Sequence, residues 1–173
     1  MEHKSVKRMV FLAIMTSSAI IIHFIESLFP LPFILPGIKL GLSNAVSLVV
    51  LYIYGPISAF IILIIRVLLS SFLYAGLSGV IFSLAGGVLS LSVMVIIWRL
   101  REKGFGIVGA STAGGVFHNI GQILAAYAVL RTDSVFFYLP VLIISGTITG
   151  IATGILAGIL VPRLNKVFNL FES

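Results

Sequence analysis

The feature that most constrains this chain is a series of apolar runs, several of them close to the roughly 20 residues that an α-helix needs to cross a bilayer. Six such segments are read along the chain: 9–28, 42–54, 57–74, 80–98, 105–130 and 136–160. They are separated by helix-breaking or charged stretches. Pro30, Pro32, Pro36 and Gly37 follow the first, Gly55-Pro56 the second, and Gly76 and Gly79 the third. The stretch from Arg99 to Lys103 ends the fourth, and the polar turn 131–134 ends the fifth. Pro162, Arg163 and Lys166 are expected to close the sixth. Only 9% of residues are charged, against about 25% in a soluble domain, so no aqueous fold could cover its surface. The expected fold class is an all-α integral membrane protein, one transmembrane domain over 1–173.

The net charge of +6 does not indicate nucleic-acid binding. Lys4, Lys7 and Arg8, then Arg99, Arg101 and Lys103, then Arg163 and Lys166 lie at the ends of apolar runs, where they act as topology signals. Six alternating helices put all three clusters on one face, which the positive-inside rule makes the cytoplasm, with both termini there. The first run is too long for a signal-peptide core and has no small-residue cleavage site before Pro30, so it is read as a span.

Ionisable groups inside spans are costly and usually face a cavity or a partner. Here the ionisable and amide groups are Arg66, the patch His118, Asn119 and Gln122, the pair His23 and Glu26, and Lys39 with Asn44 at the start of the second span. Lys39, Asn44, Arg66, His118, Asn119 and Gln122 are the candidate substrate-binding residues. Each has a structural alternative. Arg66 pairs with Glu26 or contacts a ligand, His118 and Asn119 bind a ligand or bond helix to helix, Glu26 sits at the interface, and Lys39 snorkels to the headgroups. Glycines at 146, 150, 154 and 158 mark one face of the last span for close packing, and Ala13 with Ser17 forms a small pair on the first.

Several chemistries are missing. There is no cysteine, no Walker A sequence, no HExxH and no GxSxG, and Asp133 is the sole aspartate. Asp-rich clusters holding Mg²⁺ on a diphosphate are therefore impossible, and neither enzymatic activity nor a cofactor is expected.

The stretch from Pro36 to Asn44, the Ile25-Glu26-Ser27 ending of the first span, and the segment from Gly114 to Gln122 resemble the Gx transporter family, also labelled heptaprenyl diphosphate synthase component I. The resemblance covers nearly the whole chain. That family is similar to the substrate-binding S components of energy-coupling-factor (ECF) transporters. The resemblance implies six helices, cytoplasmic termini in a prokaryotic plasma membrane, and a vitamin-sized site near the outer face closed by the loop between the first two helices. It also implies docking on a transmembrane T subunit with two ATPase subunits. S components commonly present an Ala-x-x-x-Ala pair to the T subunit, and Ala13 with Ser17 is the nearest match here. Family context suggests a flavin, quinone or isoprenoid-related cargo, and the charges suggest an anionic or hydrogen-bond-rich one. The synthase label conflicts with the missing Asp clusters and reads as a product of gene neighbourhood. The alternative is a non-catalytic membrane subunit that scaffolds a polyprenyl or quinone enzyme.

Overall fold

The computed structural model describes residues 2–28 and 42–172. Five α-helices account for most of them: α1 (Glu2–Leu28), α2 (Asn44–Ser70), α3 (Gly76–Arg99), α4 (Ile107–Leu130) and α5 (Leu139–Glu172). A π-helical turn at Ser71–Ala75 joins α2 to α3. Short 3-10 turns at Arg101–Lys103 and Asp133–Tyr138 precede α4 and α5. All five helices are long and apolar enough to cross a membrane. The chain is a multi-pass helical membrane protein.

The segments 42–54 and 57–74 fall in one helical element, but α2 is not a straight rod. Gly55 breaks it with φ 81° and ψ −178°, a backbone conformation essentially restricted to glycine. Arg66 donates hydrogen bonds to Ser43 and Asn44, residues 23 and 22 positions earlier. In a continuous helix Asn44 and Arg66 would stand about 33 Å apart. The two halves of α2, 44–54 and 56–70, therefore fold back on each other at Gly55-Pro56. Gly76 repeats the same backbone conformation (φ 66°, ψ −177°) at the reversal into α3.

The second half of α2 shows why it packs as it does. Ala59, Ile62, Leu63, Arg66, Val67 and Ser70 are buried, the spacing of one helix face. Arg66 thus occupies a core position. The hairpin forms the main core with Phe11 of α1, Leu91 and Met94 of α3, and Ala157 and Val161 of α5.

Helices α3, α4 and α5 approach backbone to backbone. A Cβ on Gly121 would lie 2.7 Å from the Ala85 carbonyl, and one on Gly115 would lie 2.3 Å from the Gly146 carbonyl. The glycine row of α5 lies along α4: Gly146 on Gly115, Gly150 on Thr112, Gly154 on Val108, and Gly158 on Ile107. That row is an intramolecular seam, and Ile144, Ile148, Ile151, Ile155 and Ile159 face outward.

One end of the bundle gathers the start of α1, the Gly55 turn, the α3–α4 connection and the late part of α5. Arg8 donates to Ser58 (2.7 Å) and stacks over Tyr54, which also packs against Phe11. Arg101 folds over Trp98. Two helix ends differ from expectation. Helix α1 takes in the basic N-terminal residues, and α5 runs on through Pro162 to Glu172. Proline removes only the bond to the Gly158 carbonyl, and Val161 and Leu164 on either side still pack on the main core.

Candidate functional site

Polar side chains from four helices meet in the half of the bundle away from that end. Helix α1 contributes His23 and Glu26, one turn apart on its inward face. Ser43, just before α2, and Arg66, on its second half, come together because the hairpin folds back. Helix α3 adds Ser83, and α4 adds His118 and Gln122 from successive turns. These groups are all at least nine-tenths buried, Arg66 at 2% exposure and Gln122 at 1%. Between them lies a small space with room for about one water molecule.

Arg66 donates to two neutral acceptors. One guanidinium nitrogen donates to Ser43 Oγ and the other to Asn44 Oδ1 at 3.3 Å, while Asn44 Nδ2 reaches Ser90 Oγ at 3.5 Å. These two bonds fix the orientation of the guanidinium fork. Gly86 makes room for the α4 side of the site: a Cβ there would sit 2.9 Å from both His118 Nδ1 and Gln122 Cγ.

The structure brings Glu26, Arg66, His118 and Gln122 to the cavity. Asn44 stands behind it, orienting Arg66. Asn119 points the other way, donating to the Leu142 carbonyl of α5 at 2.6 Å. Consecutive helical residues differ by about 100° in direction, so His118 and Asn119 serve different neighbours. Lys39 and the rest of the proposed closing loop lie outside the described residues. Ala13 and Ser17 are exposed on α1.

Sequence reasoning does not count His23, Ser43 or Ser83 among the binding residues. By composition the fourth span is merely apolar and small, yet Ser83, Gly86 and Ser90 recur at helical spacing on its inner face. That periodicity is the available signal. Among the described residues, no group of three or more His, Cys, Asp or Glu comes together to hold a metal ion.

A polytopic helical bundle with a buried, charged, hydrogen-bonding cavity defines a class of membrane protein built around an internal polar site. Residues 15–160 match the family model described as heptaprenyl diphosphate synthase component I, and the chain belongs to that family. No curated protein and no solved structure matches it significantly.

Proposed function

We propose that the chain is the substrate-binding S component of an ECF-type uptake transporter for a small, vitamin-like molecule. The observation that carries this reading is the small polar cavity bringing Glu26, Arg66, His118 and Gln122 together inside an apolar bundle. Scaffolding alone does not require a buried Arg and Glu on different helices, and such groups inside a membrane usually mark a ligand or ion site.

The same reading has six crossings, with the α2 hairpin contributing two and both termini in the cytoplasm of a prokaryotic plasma membrane. It is supported by the gathering of Arg8, Arg101 and the late part of α5 at one end. Ala13 and Ser17, exposed and small, form the surface offered to a T subunit, which in turn carries two ATPase subunits. The chain itself is non-catalytic in this reading.

The second reading is a non-catalytic membrane subunit of a polyprenyl diphosphate synthase, favoured by the family's description as component I of a synthase, which implies a second component. Affinity purification of the tagged chain from its native membrane separates the two. Recovery of a T subunit and two ATPases supports the transporter. Recovery of a soluble prenyl synthase subunit without ATPases overturns it.

A further inference from the structure

We infer that the cavity takes a compact dipolar cargo, its anionic end on Arg66 and its donor-bearing end on Glu26, and excludes an isoprenoid or quinone body. This rests on the substrate-binding reading above.

The lining carries the argument. Every side chain around the cavity, among the described residues, bears a hydrogen-bonding group. Sites for ring-shaped or hydrocarbon ligands are lined mainly by apolar and aromatic side chains with a few polar groups for orientation. This one inverts that composition. A hydrocarbon chain or quinone ring placed here would press an apolar surface between these polar groups and break into the bonds they hold, in a medium that offers no water to replace them.

Charge narrows the class further. Glu26 from α1 and Arg66 from α2 bring opposite formal charges to one cavity. A cargo with net charge would leave an excess in an apolar bundle, where unbalanced charge is expensive. A zwitterion keeps the balance and forms charge-assisted bonds at both ends. Ser43 and Asn44 already orient the guanidinium toward such a bond.

Size follows from the walls. The α3–α4 side is the more firmly held, because those helices meet backbone to backbone where Gly121 packs on Ala85 and Gly86. Helix α1 packs chiefly on α2, so the wall that yields is the one bearing Glu26. Cargo beyond the size of one water must displace that wall, which favours a small molecule.

The test uses the full chain in nanodiscs and reads thermal unfolding against named probes: L-glutamine and L-carnitine as small zwitterions, citrate as a net anion, and geranyl diphosphate and a short-chain quinone as apolar bodies. A zwitterion at about 100 times its Kd is expected to raise Tm by about 5 °C. Glu26→Gln and Arg66→Gln are each expected to weaken that binding at least tenfold, whereas Glu26→Asp keeps it. Native mass spectrometry of each variant establishes that it remains a folded, monodisperse species. Stabilisation by citrate alone, or by geranyl diphosphate or the quinone and unchanged in Glu26→Gln, overturns the cargo class while leaving a binding protein. Failure of both zwitterions overturns the inference, and recovery of ATPases then decides the transporter reading on its own.

Discussion

Adding a single methyl group at Gly115 should separate α4 from α5, and the same change six residues earlier should not. A Cβ on Gly115 would sit 2.3 Å from the Gly146 carbonyl oxygen, 3.2 Å from its carbon and 3.3 Å from Gly150 Cα. All three atoms are backbone, so no rotamer change relieves the clash. Restoring an ordinary contact of 3.4 Å moves the helices about 1 Å apart. A gap of that size forfeits a quarter to a half of each dispersion contact it opens. The seam holds other close contacts, from Gly146 to Gly158, and the 2.6 Å bond from Asn119 to Leu142, which stretches as well. Gly115→Ala should therefore destabilise by about 3 kcal/mol, the upper part of the overpacking range. For a chain of this size that lowers Tm by about 6 °C or more. Gly109, on the same helix, has open space where a Cβ would stand, with nothing within 4 Å, so Gly109→Ala should stabilise by about 0.5–1 kcal/mol through helix propensity alone. Thermal unfolding of both variants in one detergent measures the difference. If Gly115→Ala melts within a degree of Gly109→Ala, the α4–α5 seam is not packed as described.

Gly55→Ala should destabilise by about 1–3 kcal/mol, because alanine does not tolerate φ 81° with ψ −178°; unchanged unfolding would argue against the reversal at that residue. Asn119→Ala should lower Tm while leaving cargo affinity within about twofold, since its amide bonds α5 and not the cavity; a tenfold affinity loss at unchanged Tm would return it to the site. Since the chain has no cysteine, single cysteines at 103 and 133 can be labelled in intact cells with an impermeant thiol reagent. Only position 133 should react from outside, and labelling at both would refute the six-crossing arrangement. Replacing Ala13 and Ser17 together with leucine should abolish recovery of ATPases without changing the unfolding temperature, and retained recovery would move the docking surface elsewhere.

Much of the fold was legible because hydrocarbon solvent leaves few options. Apolar run length marked the helices, and basic residues marked one end of the bundle. Gly55-Pro56 was readable as a break because a positive-φ glycine followed by proline suits little else. The extension of α5 past Pro162 was not readable, since only its packing on the core shows that the helix survives a missing bond. Site residues divided along similar lines. Arg66, His118 and Gln122 stood out as costly groups in apolar surroundings. Asn119 was equally conspicuous, but whether an amide turns toward α3 or α5 depends on helix rotation, which composition does not carry. Ser83 was invisible because serine is ordinary in helix packing, and Gly86 gains its role only from the two α4 side chains that use the space it leaves.

The length of the first half of α2 has a consequence for where the polar layer must lie. Residues 44–54 rise only about 16 Å, against a hydrocarbon thickness of about 30 Å. On the six-crossing reading, with the Gly55 turn at one membrane face, the helix of this crossing starts partway through the bilayer, where lipid offers no acceptor for its first-turn amide protons. Any chain that starts a helix there has to bring polar company to that level whether or not it binds anything. Ala45 and Val46 turn their amides onto the Leu42 and Ser43 carbonyls, and Ser43, Asn44, Arg66 and Ser90 bond to one another around that start. The depth of the pocket is thus inherited from a shortened helix, and lengthening that half by two turns would bury the same arginine in a place with no reason to be wet.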